Sequence, residues 1–382
     1  MPLSAPLSAL IQVGQVRPFV SSIRARTRAA IEMPESSRSE DKKKAVVTEY
    51  RAQAPALEPQ RKRAEELQKA IADLQIVSAL VMVVATTATA TCVFHDGNHG
   101  AFSTSRTVNR LAGFTGDLLG GSSWIWRFKH NNLHHGNTNV AGVDDDINQA
   151  PFARLTPAQP WRPRHRYQHL YMWFLYGFLT LRWLLIGDFA ELKRRGVGTK
   201  RFPRQPRPRE IAVLFAGKAL HIGWAVALPL VYHRWWVVLS FYLAISWLVG
   251  LLLATMFQLA HCVELAEFPP ADAERRGSDF ATHQFATTLD VHCRTRTGAH
   301  LQHWLMGGLD FQVEHHLAPR LPHTIYPLVA QRLDRACVAQ GIEVRHHATP
   351  WQAICSHERW LKRMGKRPPS AAIETARRGQ LL

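Results

Sequence analysis

The chain has 382 residues and a net charge of +18 with histidine neutral, from 47 Lys and Arg against 29 Asp and Glu. Apolar residues are gathered into a few long runs instead of recurring at a helical or strand period, which excludes an ordinary soluble globule and points to membrane spans. The basic excess then marks cytoplasmic segments and not nucleic-acid binding, because Lys and Arg accumulate on that side of spans. The five cysteines are odd in number and lack CxxC spacing, which argues against a disulfide framework or a structural zinc site and fits a reducing compartment.

Residues 1–70 read as a basic, disordered tail. Its start is mildly apolar but broken by Pro2, Pro6 and Pro18, and has no signal-peptide core. Arg61-Lys62-Arg63 opens a helix leading toward the membrane. A first span covers about 74–94, uncharged and close to the roughly 20 residues that cross a bilayer core. At its exit stands His95-Asp96-Gly97-Asn98-His99, a histidine pair four apart, with Asp96 able to orient a ligand ring through its second nitrogen.

Residues 103–128 look interfacial, and His130-Asn131-Asn132-Leu133-His134-His135 follows. On an α-helix His130 and His134 share a face and His135 lies about 100° further round. The three rings can therefore fan around one centre or be shared by two. Of Asp144, Asp145 and Asp146, at least two read as a solvated loop. Residues 151–167 and 191–209 are basic, hence cytoplasmic, and the apolar run 170–186, interrupted by Arg182, reads as a helix at the interface.

Two further spans, about 211–231 and 235–259, are joined by a short turn, with Lys218 and His221 as buried or snorkelling groups inside the first. His261 stands at the last exit. The final cluster is Gly307-Gly308-Leu309-Asp310-Phe311-Gln312-Val313-Glu314-His315-His316, where Gln312 offers an amide oxygen at the spacing of a histidine. Residues 326–341 suggest an amphipathic helix, and 336–382 a cytoplasmic segment ending in a basic tail, with Trp351 and Trp360 as packing or interfacial anchors.

HxxxH, HxxxHH and QVEHH, in that order at membrane exits, resemble the three histidine boxes of the membrane-bound fatty acid desaturases over about residues 71–335, the Gln-initial third box being similar to that of front-end members. The resemblance implies an all-α membrane protein with a cytoplasmic helical cap holding two iron ions. Its metal ligands are then His95, His99, His130, His134, His135, His261, His315 and His316, with Gln312, Asp96 and Glu314 as further ligands or supporting groups. It also implies O2-dependent formation of a cis double bond in an acyl chain carried by coenzyme A or a lipid. Many neutral imidazoles and no thiolate cluster agree with iron. There is no flavin or dinucleotide fingerprint and no HPGG motif of a fused cytochrome b5, so a separate ferredoxin or cytochrome b5 with its reductase supplies electrons.

The chain departs from the family in having one long apolar run before the first box where two paired spans are usual. Either part of that region is re-entrant or the orthodox first span is absent. Two rival readings are a hydroxylase or ketolase on the same metal centre, and a metal or proton transporter relaying through histidines. The transporter predicts ionisable groups near mid-span, whereas these clusters lie at exits.

Overall fold

The computed structural model describes residues 40–270 and 279–368. The tail expected for residues 1–39 and the basic end at 369–382 lie outside the described residues. Contacts divide the chain into a unit of residues 1–80 and a unit of residues 81–382.

In the first unit the expected tail gives way to helix at Glu40, the start of Glu40–Ala88. Ala, Glu, Lys, Arg and Gln dominate the polar part, and these strong helix formers carry it despite Pro55 and Pro59. Beyond it Leu74, Val77 and Leu80 are all more than half exposed, as lipid-facing residues are.

Among the described residues three helices are long and apolar enough to cross a membrane: Glu58–His99, Pro208–Tyr232 and Trp235–His261. They contain the three expected runs. A further pair, Pro163–Tyr176 and Leu179–Arg194, is bent by 75° and passes the same test only as a broken span. Histidines before this pair and after the last span meet in one cluster, as described below, so the number of crossings between them is even. Pro208–Tyr232 and Trp235–His261 already supply two. The bent pair therefore enters and leaves on one side. Its bend is seated on the last span, where Trp247 donates to the Phe174 carbonyl at 3.0 Å and Thr180 to that of Ser246 at 2.9 Å.

Among the described residues strand is confined to two short ladders, Gly196–Val197 antiparallel to Lys200–Arg201 and Asp290–Val291 parallel to His346–His347. The second ties the segment after the last span to the C-terminal region. There the expected basic tail is wrong for Pro350–Gly365, which is helical. One face of it is buried at helical spacing, Trp360, Leu361 and Met364 against Met172, Tyr176 and Ala254, and Ala353 against Leu259 and Val291. His357 is held on both sides, by the Tyr176 hydroxyl at 2.8 Å and the Cys262 carbonyl at 2.6 Å. This helix thus braces the residue next to His261.

Candidate metal centre

The second box does not sit on an α-helix. Phe128–His134 is π-helical, and the His135 amide donates to the His130 carbonyl at 3.0 Å. A π turn aligns residues five apart, so His130 and His135, splayed in an α-helix, bring their Nε2 atoms within 3.2 Å. A π segment, Thr89–Phe94, also precedes the first box, which is the α-helical turn His95–His99.

The third box, Gln312–Leu317, follows Gly307 and Gly308, whose φ angles of 60° and 78° favour glycine. A Cβ on Gly307 would lie 2.6 Å from the Thr91 backbone. The glycines therefore let the third box close against the end of the first span.

All eight box and exit histidines are buried. Their ring nitrogens form adjoining groups, each within 4.8 Å: His95, His99, His130 and His315 in one, and His134, His261 and His316 in another. His135 joins His315 and His316 in a third group that links the first two. Of the two arrangements open to the second box, the rings are thus shared between adjacent groups.

A carboxylate or amide oxygen at Nδ1 can only accept and so fixes the tautomer, whereas a hydroxyl orients the ring. His134 Nδ1 meets the Asp144 carboxylate at 2.9 Å, His315 Nδ1 the Tyr326 hydroxyl at 3.1 Å, and His316 Nδ1 the Gln284 amide oxygen at 2.9 Å. The opposite Nε2 atoms of these three rings are buried with no hydrogen-bond partner. Unpartnered buried ring nitrogens are costly, and three of them within one cluster fit a metal site whose ligand rings are oriented from behind.

The electrostatics agree. Burial, reinforced by neighbouring imidazoles, holds His135, His315 and His316 well below the usual histidine range, and burial brings His130 down to about 3. Neutral imidazole is the form that binds metal. Burial opposes charge on His134 as well, but the Asp144 carboxylate outweighs it and raises its pKa, a more basic and better donor ring.

The acidic run is not a solvated loop. Asp144 is 1% exposed, and Asp146 pairs with Lys129 at 2.8 Å while lying 3.6 Å from His130 Nδ1. Asp145 stands 3.9 Å from the same Lys129 ammonium. The reason is long range: the Lys129 side chain, 11% exposed, is drawn in with the run and attracts the carboxylates inward.

Asp96 approaches His95 only to 3.6 Å and instead accepts from His323 at 2.7 Å, a residue not singled out in the sequence. Gln312 is buried with its amide oxygen unpartnered. Glu314 is fully buried beside Asp290, and burial raises both, Glu314 to about 7, so this pair retains a proton at neutral pH. Neither Asp96 nor Glu314 belongs to a metal-competent group among the described residues.

Lys218 is tied to Asp188 and to the carbonyls of Gly120 and Trp183, and His221 lies between the Leu118 carbonyl and the Tyr242 hydroxyl. Both pin the interfacial segment to a span. The supporting residues that sequence reasoning missed are Gln284, Tyr326, Thr138 and Asn139. The Asn139 amide donates to the His261 and Thr287 carbonyls. These are single residues of common type with no local pattern.

Fold and site together define a membrane-embedded helical protein with a buried polyhistidine cluster able to hold metal ions. The sequence profile of the fatty acid desaturase family matches residues 74–348, and the chain belongs to that family. It is 33% identical over 304 residues to the sn-1 linoleoyl-lipid 6-desaturase of Arthrospira platensis, covering 79% of this chain and 81% of that protein. The sn-1 linoleoyl-lipid 6-desaturase of Synechocystis is also 33% identical, over 296 residues, 77% of this chain and 81% of that one. An acyl-lipid (8-3)-desaturase of Physcomitrium patens is 34% identical over 275 residues, 71% of this chain and 56% of that protein.

Proposed function

We propose that this protein is a fatty acyl desaturase that introduces a cis double bond into a lipid-linked acyl chain, using two iron ions held by the eight histidines. The observation that carries the metal assignment is the set of buried Nε2 atoms without partners, backed by fixed Nδ1 contacts. The names of three relatives, all lipid-linked acyl desaturases, support the substrate.

His95, His99, His130 and His315 would hold one ion, and His134, His261 and His316 the other, with His135 between the two groups and Gln312 as an additional oxygen donor. Iron there supplies, with O2, two external electrons and two protons, the oxidising power to take two hydrogens from adjacent methylenes and release two waters. The protein's share is to keep the imidazoles neutral, orient each ring and exclude water. The electrons come from a separate ferredoxin or cytochrome b5. The histidine boxes face the cytoplasm, as the basic segments 151–167 and 191–209 support.

The test is expression in a host lacking polyunsaturated fatty acids, with a donor supplied and linoleoyl lipid provided, followed by mass-spectrometric location of new double bonds. Wild type should give a new double bond and His134→Ala none. Identical lipid profiles would remove the assignment. A hydroxylated product would move it to the hydroxylase reading.

A further inference from the structure

Away from the histidines lies an open cleft of about 450 Å³ lined by Arg166, His169, Lys362, Gly365, Lys366 and Arg367. Its walls are the turn Pro163–Tyr167 with the following helix, and the C-terminal end of Pro350–Gly365. The two are locked together. Trp161 donates to the Gly365 carbonyl at 2.8 Å, Arg154 to that of Met364 at 3.0 Å and Gln168 to that of Leu361 at 2.8 Å. Gly365 is required, since a Cβ there would lie 2.5 Å from the His165 carbonyl oxygen.

Cations at a helix C-terminus ordinarily complement its exposed carbonyls. Here the carbonyls of Met364 and Gly365 already have donors in Arg154 and Trp161, so the lining cations are left for another partner. Lys362 has Glu358 at 2.7 Å and the Arg367 guanidinium lies 5.9 Å from the centroid of the Trp161 ring, but Arg166, Lys366 and Arg367 have no acidic partner among the described residues. His169 adds a buried Nδ1 without a hydrogen-bond partner.

The surroundings set the level of the cleft. Within two turns of Arg166 the bent helix pair exposes Tyr167, Leu170 and Phe174 by 57%, 65% and 59%. An apolar face of that size beside a cluster of cations belongs at the boundary between acyl chains and headgroups. We propose that this cleft binds the phosphate of an anionic membrane lipid, with Arg166, Lys366 and Arg367 supplying the charge and His169 a further ring nitrogen. A bound headgroup would bridge the bent pair and the helix that braces Cys262.

The full-length protein, purified in detergent, is to be equilibrated with phosphatidylglycerol or with phosphatidylcholine of the same chains, and retained lipid counted by native mass spectrometry. Wild type should retain phosphatidylglycerol in preference to phosphatidylcholine by about ten-fold or more. The triple variant Arg166→Gln, Lys366→Gln, Arg367→Gln should lose that preference while keeping its metal content and melting temperature. A control of equal charge change elsewhere, Lys193→Gln, Arg194→Gln, Arg209→Gln, should keep it. The proposal is overturned if the triple variant retains the lipid as wild type does, or if the control loses it equally. It is also overturned if inorganic phosphate or coenzyme A displaces the lipid at equal concentration, which would make the site one for a soluble phosphate.

Discussion

His134 and Asp144, ten residues apart in sequence, are joined by a 2.9 Å contact between Nδ1 and a carboxylate oxygen, both side chains being almost wholly buried. The same carboxylate accepts the backbone amides of Asn139 and Asp146, each at 3.0 Å, so it orders the loop as well as the ring. Asp144→Asn preserves the shape and removes the charge. Metal affinity should fall by about 10- to 100-fold with helix content by circular dichroism unchanged. Asp144→Ala should lose more, because both loop amides are also left without an acceptor. Metal content after dialysis against a chelator series separates the two variants.

The third box is oriented from two directions. Tyr326 serves His315 alone, whereas Gln284 accepts from His316 and also donates to the His135 carbonyl at 3.1 Å, linking the second and third boxes. Tyr326→Phe removes one partner of a buried ring, at a cost of about 1–3 kcal/mol. Gln284→Leu removes a bridge and should cost more in both melting temperature and product yield. Equal effects would mean that the bridge contributes nothing beyond its contact to His316.

His323 gives the fold a pH dependence. Burial works against its charge, yet the Asp96 carboxylate outweighs burial and lifts its pKa from 6.5 to about 9. A group raised in the folded state stabilises fully below its unfolded pKa and stops doing so as pH rises through the folded one. The stability difference between wild type and His323→Gln should therefore be greatest below pH 6.5 and vanish as pH passes about 9. Thermal unfolding at a series of pH values measures it, and a difference that grew with pH would contradict the assigned charge.

The three boxes were legible in the sequence because each is a local pattern, and His261 because it stands at the exit of the last span. Their supports were not. Gln284 lies 149 residues from the His135 carbonyl it binds, and nothing in its neighbourhood marks it. Nor does HxxxHH disclose a π-helix, since the same letters fit an α-helix with two rings on one face. The terminal helix was hidden by its composition: its buried face includes His357, and Lys362, Arg363 and Lys366 crowd its end. The aspartates failed for a related reason. A run of three acids is solvated unless a part-buried cation such as Lys129 draws it in.

Lys218 places a charge inside a candidate span and is answered by Asp188 at 2.8 Å, with both side chains more than nine-tenths buried. A buried pair of this kind adds little net stability over an apolar pair, but removing one partner strands the other. Lys218→Met should therefore destabilise the detergent-solubilised protein by about 3–5 kcal/mol. Part of that loss comes from the carbonyls of Gly120 and Trp183, which share the ammonium. Lys218→Met with Asp188→Leu no longer leaves a carboxylate unpaired, so most of the loss should be recovered. Melting temperatures of the two single variants and the double form a cycle. Strict additivity would show that Asp188 is compensated by another group and that the pair does not hold the interfacial segment to the span.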